Sequence, residues 1–390
     1  VAANVSHNAV RQMVCGFEET AMDEKELSKA RRIMRQAMEE GAVGFSVGLS
    51  YYPGGYSDTR ELIELCKVVK EYDGLFCVHQ RLDDGQIPLN PRAEAAEVAK
   101  ITGVRLNMLH YRTGGEEDYH SVFEPFKEIE AAGNTVYYEY YPYLVGAGLV
   151  LALLPGWAQT DGYEQIMDRL TSEKLRPDLL KAMDKRHSYF FGKGQTARVI
   201  LTKDPYSERL GKTFDEIARE NNESFSETVI RLLVENELEV GFAGVDNYTE
   251  AMREKLYEDQ YHLFLDDRYT IGSDTIPAGI LCHPRGFGTF SKIICMMRER
   301  GVPAEYIIKK LTSMPAKMYH LEGRGELKPG MKADICIMDY KNVRDCADFS
   351  SSRRKPEGIR SLYVNGLPAM EKGTITGILA GHALRRGKDE

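Results

Sequence analysis

Short apolar runs start near Val43, Leu75, Arg105 and Val136, at steps of 32, 30 and 31 residues, with an amphipathic stretch after each. A strand plus its crossover helix has that length, and a (β/α)8 barrel of ~250 residues repeats every ~31. The spacing predicts four barrel units in succession. Two of the runs rise to a histidine: LFCVH ends at His79 and VRLNMLH at His110. A third, IGSDT, places Asp274 at the same edge. Strand ends in a parallel barrel face one common rim. Two neutral imidazoles and a carboxylate meeting there form a ligand set for a catalytic divalent metal with an open position.

Between the strands, apolar residues at helical spacing predict helices over Asp23–Glu40, Asp58–Tyr72, Pro91–Thr102 and Ser121–Ala132. The repeat breaks at Tyr141 and resumes at Tyr269–Asp274, followed by helices from Phe290 to Glu299 and from Ala304. Inside the interruption, Thr213 with Glu216 and Ser224 with Glu227 read as capping boxes, each opening an amphipathic helix. An insertion of this length between barrel strands predicts a helical lid or rim over the site. From Leu327 short strands alternate with Gly/Pro turns, as in LKPGMKADICIMDY and IRSLYVNGLPAM, which predicts a small β domain. The basic stretch HALRRGKDE reads as a solvated tail.

The expected architecture is α/β: a TIM-like barrel lacking its N-terminal strands, a helical lid insertion and a small C-terminal β domain. Its expected parts are barrel strands about three to seven over 1–148, insertion over 149–268, the last barrel unit over 269–325 and an incomplete β-sandwich-type domain over 326–390. If the Tyr269 strand is the eighth, strands one, two and most of three lie upstream of Val1, and the opening VAANVSHNAVRQ reads as mid-domain.

A net charge of −8 leaves no basic footprint for nucleic acid. The longest apolar run, Leu144 to Leu154, contains two glycines and is too short to span a bilayer. Seven scattered cysteines without a CxxC pair point to reduced thiols and a cytoplasmic setting. Cys77 and Cys282 read as buried small hydrophobes.

A cation on His79 and His110 lowers the pKa of a bound water to about 7, and Asp274 is placed to take that proton and pass it to a leaving amine. Arg112, Tyr141 and Arg285 (in CHPRG) fall on the same rim, where guanidinium forks suit a substrate carboxylate. Ordinary salt bridging competes with that reading of each arginine, and a hydrogen-bonded structural role competes for each histidine. Histidines 7, 120, 187, 262, 320 and 382 read as structural or exposed.

These residues sit in a series of longer matches: GAVGFSVGLSYYPG, VHQR, LHYR, YYPY followed by LLPGWA, GKTFDEIA, IGSD, HPRGFGTF, LTSMPA, GELKPGMKADICIMD and YVNG. Over nearly its whole length the chain resembles the D-aminoacylases (N-acyl-D-amino-acid deacylases) of the metal-dependent amidohydrolase superfamily. The resemblance implies that His79 and His110 bind a tight zinc and that Asp274 is the acid/base. It further implies that Arg285 and Tyr141 hold the α-carboxylate of a D-amino acid, and that the insertion includes a mobile lid. The family's early cysteine ligand, and the histidine pair of its second, weaker metal site, would lie upstream of Val1. Departures are Arg112 in place of a lysine, Ala147 in place of a serine, LHYR for an SHHK-like segment and Thr275 after the GSD.

The expected activity is zinc-dependent hydrolysis of the amide of a small-molecule substrate, an N-acyl-D-amino acid. The alternatives are a cyclic-amide hydrolase of hydantoinase or dihydropyrimidinase type, which uses the same barrel, and an inactive truncated amidohydrolase. No nucleic-acid or membrane partner is expected, and the sequence leaves the oligomeric state open.

Overall fold

The computed structural model describes residues 1–82, 90–191, 196–276 and 278–388. Its first half is a run of strand–helix units: β1 (Asn4–Ser6), α1 (His7–Cys15), α2 (Glu24–Glu39), β2 (Gly44–Gly48), α3 (Thr59–Glu71), β3 (Leu75–His79), α4 (Pro91–Thr102), β4 (Arg105–Met108), α5 (Lys127–Ala131) and β5 (Val136–Tyr140). Local chemistry sets their ends. Asp23 and Glu26 form a capping box at α2, and Asn90 caps α4, which has Pro91 in its first turn and left-handed Gly103 after its last. The expected helix over Ser121–Ala132 is instead a 3-10 turn, Tyr119–Phe126, running into the five-residue α5. Pro125 lies inside it and has no amide to donate to a regular helical ladder.

α1 has no counterpart among the expected helices. Its buried face is His7, Val10 and Arg11, so two of three inward residues are polar and the apolar period is lost. What holds it is an ionic knot on α3. His7 Nε2 lies 2.7 Å from Glu61 Oε1, Arg11 pairs with Glu61 Oε2, and Arg11 Nη2 donates to the Thr20 carbonyl at 2.5 Å. All three side chains are buried. Removing one partner of such a set strands the remaining charges, so Glu61→Gln is expected to cost about 3–5 kcal/mol. Urea unfolding of the variant against the parent measures it; a loss within experimental scatter would contradict the assignment.

The next elements are β6 (Ala147–Leu149), α6 (Tyr163–Thr171), α7 (Arg176–Phe191), β7 (Ala197–Leu201), α8 (Phe214–Asn221), α9 (Phe225–Glu235), β8 (Gly241–Gly244) and α10 (Glu250–Leu265). Both expected capping boxes form at α8 and α9. The insertion is not purely helical, however: β6, β8 and β7 make a three-stranded antiparallel sheet. Two of these strands, AGL and GFAG, are too short and glycine-rich to show alternation. The insertion has its own apolar core, including Leu153, Leu154, Val199, Phe214, Val229 and Leu233.

The chain then returns through β9 (Tyr269–Ile271) and continues into α11 (Arg285–Glu299), α12 (Ala304–Leu311), α13 (Ser313–Met318), β10 (Ile335–Met338), β11 (Ile359–Val364), β12 (Leu367–Glu371) and β13 (Thr374–Ile375). The last four strands form the expected small sheet. The tail is not merely solvated. Leu384 forms a parallel bridge with Ala2, and the Arg386 amide donates to the Gly41 carbonyl at 2.9 Å. A β-carbon on Gly41, at φ +108°, would lie 2.5 Å from Arg385 Cβ, so the tail packs directly on that turn.

Strands β1, β2, β3, β4, β5 and β9 are neighbours in that order and parallel throughout, the arrangement of a TIM-type barrel wall. Phe45, Val47, Phe76, Val78, Leu106, Met108, Tyr138 and Tyr140 point outward into one core beneath the helices. The alternate positions carry the sheet's polar side chains among them: Ser46 pairs in register with Cys77, Cys77 with Asn107, and Glu139 with Thr270. Period-2 alternation therefore gives the concave side of the sheet to chemistry and the convex side to packing. Among the described residues, no helix is long and apolar enough to cross a membrane.

Candidate active site

His79 is the last residue of β3. His110 lies two residues beyond β4 and Asp274 three beyond β9, so the strands stop short of the two expected terminal residues. Both carry positive φ, +38° for His110 and +46° for Asp274. Non-glycine residues pay for that conformation, which here turns each side chain out of the strand direction.

The imidazoles meet. His79 Nδ1 is 2.7 Å from His110 Nε2, with the rings edge-on at 74°. Burial and the neighbouring His110 push His79 down to about 3, against a weaker upward pull from Asp274. Burial, then the Arg285 charge, brings His110 down to about 4. Both rings are thus neutral at pH 7, the form in which imidazole is a metal ligand. Two nitrogens on one tetrahedral zinc are about 3.3 Å apart, so a small opening of the pair admits the ion. The chemistry of this pair, two neutral nitrogens facing each other, fits a divalent metal ion.

Asp274 is placed differently. Its carboxylate is 35% exposed and lies 2.8 Å from Arg285 Nη1. Burial raises its pKa, while the Arg285 charge pulls the other way. Among the described residues, no group of three or more His, Cys, Asp or Glu side chains is disposed to hold a metal ion. The structure brings His79 and His110 together and gives Asp274 to Arg285.

The three residues expected to grip a carboxylate also converge. The Arg285 guanidinium lies 4.7 Å from the Tyr141 ring centre and that of Arg112 5.2 Å from it. Arg112 donates to the Leu144 carbonyl at 3.0 Å, and Arg285 to the Ala147 carbonyl at 3.3 Å. His283 fixes the start of α11 by donating to the Val145 carbonyl and accepting the Arg285 amide. Arg112 Nη1 and Arg285 Nε are nonetheless buried without a hydrogen-bond partner among the described residues. Buried donors on a permanent cation are rarely left so, and an anion placed between the forks would satisfy them.

A cleft of ≈ 580 Å³ opens beside the imidazoles, walled by Tyr51, Tyr52, Leu149, Leu151 and Ile276. Glu139 also lines it, a residue that sequence reasoning passed over. Burial, reinforced by Asp274, lifts its carboxyl to about 7. A β-carbon at Gly272 would come within 2.0 Å of Glu139 Oε1, so the carboxyl occupies the space that glycine leaves. The available signal was an acid at an inward position of a strand otherwise built of Val and Tyr. Cys77 and Cys282 are buried, as expected, and all seven cysteines are free.

The amidohydrolase family model Amidohydro_3 matches residues 2–369. A D-aminoacylase of Alcaligenes xylosoxydans xylosoxydans is 28% identical over 99% of this chain and 70% of its own length. An N-acyl-D-aspartate deacylase of the same organism is 26% identical over 93% of this chain and 64% of its own length. A solved D-aminoacylase variant in complex with copper chloride superposes with a TM-score of 0.75 at 25% identity, covering 97% of this chain and 70% of that one. The chain thus spans about two thirds of the length of these relatives. With a family match over almost all of its residues, this chain belongs to the amidohydrolase family.

Proposed function

We propose that this protein hydrolyses the amide of N-acyl-D-amino acids, releasing a carboxylate and the free D-amino acid, with zinc held by His79 and His110. The observation that carries the reading is the pair of partly unsatisfied guanidiniums on Tyr141, beside an acid and two neutral imidazoles. That array fits a substrate with a free carboxylate next to a scissile amide. The names of the relatives support the D configuration, and the copper complex of one supports a metal. Asp274 as a further ligand of the ion, and a second, weaker metal site, belong to the same reading. The free thiols support a cytoplasmic setting.

A bound zinc ion supplies a Lewis acid for the amide carbonyl and lowers the pKa of water to about 7. The chain's own groups do the rest. Arg112 and Arg285 grip the α-carboxylate and fix the amide over the imidazoles. Asp274 takes the proton of the attacking water on a carboxylate oxygen and returns it to the leaving nitrogen. Tyr51, Tyr52 and Leu151 shield the cleft from bulk water. The guanidinium forks favour linear N-acyl-amino acids over hydantoins, which present no carboxylate to them.

Chiral analysis of racemic N-acetylmethionine treated with the zinc-loaded chain tests the proposal: D-methionine should accumulate while the L-substrate persists. Release of L-methionine, or hydantoin opening without acyl-amino-acid turnover, would overturn it. Within the same assay Arg285→Met is expected to raise KM about 10- to 100-fold, the range for losing a charge-assisted bidentate contact. An unchanged KM would show that Arg285 serves only Asp274.

A further inference from the structure

His79 is engaged at both ring nitrogens. Nδ1 faces His110 Nε2 at 2.7 Å, and Nε2 lies 2.5 Å from the Ser50 hydroxyl. Ser50 is buried, 5% exposed, two residues past the end of β2. Its position is braced: the Leu49 amide donates to the His79 carbonyl at 3.1 Å, and the Tyr51 ring lies 4.8 Å from the imidazole.

A neutral imidazole has one proton, so one ring nitrogen donates and the other accepts. Either polarity satisfies these two contacts; in the one taken here for the metal-free protein, His79 Nδ1 donates to His110 Nε2 and His79 Nε2 accepts the Ser50 proton. Coordination of one cation by the two facing nitrogens requires both to be bare. The His79 proton must then reside on Nε2, where Ser50 Oγ becomes its acceptor.

We propose that Ser50 is a positioning residue for His79, holding the ring as donor in one tautomer and as acceptor in the other, so that Nδ1 can turn a lone pair to a metal ion while the imidazole stays neutral. A hydroxyl suits this task because it rotates between the two polarities, whereas a main-chain carbonyl or a carboxylate can only accept. The proton balance is simple: one proton leaves Nδ1, one arrives on Nε2, and none is released by this ring. An outer partner of this kind fixes ring orientation and tautomer. The inference rests on the metal reading above and adds a residue on a different strand unit.

The test uses the full chain, stripped with a chelator and reloaded with zinc chloride. Zinc affinity by competition with a chromophoric chelator is expected to fall about 10- to 100-fold in Ser50→Ala, and by no more than about 3-fold in Ser50→Thr. Histidine-selective 15N spectra, with His79 assigned by its loss in His79→Gln, should show Nδ1 protonated in the stripped protein and Nε2 protonated after loading. Equal zinc affinity in wild type and Ser50→Ala overturns the role of Ser50 and leaves the metal reading intact. Absence of zinc uptake by the wild type overturns both. If Ser50→Ala does not fold, the wild-type spectra alone decide: a His79 tautomer unchanged on loading contradicts the proposal.

Discussion

His110→Ala is expected to lose stoichiometric zinc and to lower turnover of an N-acyl-D-amino acid by at least about 10³-fold, well beyond the 10- to 100-fold cost of losing an outer-shell partner. The size of the effect follows from the geometry. His79 and His110 are the two groups whose nitrogens already converge, at 2.7 Å, and Asp274 is engaged with Arg285. Among the described residues that line the cleft, His79 and His110 are the two imidazoles, so removing one leaves a single ring nitrogen there. Metal analysis and steady-state kinetics on the same preparation check the result. Full activity in the alanine variant would remove the imidazole pair from the chemistry.

The second large effect belongs to Asp274→Asn. Loss of a positioned proton-transfer group lowers kcat about 10²- to 10⁴-fold, while zinc content should remain near that of the parent. The pH profile adds an independent readout. Burial raises the Asp274 pKa, and the base form is the ionised one. Activity should therefore rise with pH along a limb lying above the usual aspartate range, and Asn should abolish that limb. If zinc content collapses in the variant, Asp274 is primarily a ligand. If only KM moves, its work is to orient Arg285.

The parts of this site that were legible in the sequence were those carried by periodicity. A 31-residue interval between two histidines, each at the head of an apolar run, located the imidazole pair because barrel geometry brings equivalent strand ends together. The same logic placed Asp274, Arg112, Tyr141 and Arg285 on one rim. What periodicity could not show is which groups choose each other. Asp274 sits against Arg285 because positive φ and a three-residue overrun of β9 turn it there, and no spacing encodes that.

α1 was hidden for a related reason. A helix that buries His7 and Arg11 against Glu61 looks polar in the sequence, although its inward face is fully buried. Glu139 and Ser50 were passed over because each has apolar or aromatic neighbours along the chain and acquires its meaning only across strands. The alternation of β5 sends Tyr138 and Tyr140 to the core and Glu139 to the cleft. The three-stranded sheet of the insertion lacked any readable alternation, whereas the capping boxes of α8 and α9 were readable because they depend on residues only three apart.

The proposed metal site is a single cation shared by His79 Nδ1 and His110 Nε2. Anomalous diffraction at the zinc edge from zinc-loaded crystals tests it directly. A single strong peak within about 2.0–2.1 Å of both nitrogens is the expected result. A peak bound elsewhere, or none in a protein that still hydrolyses N-acyl-D-amino acids, would contradict it.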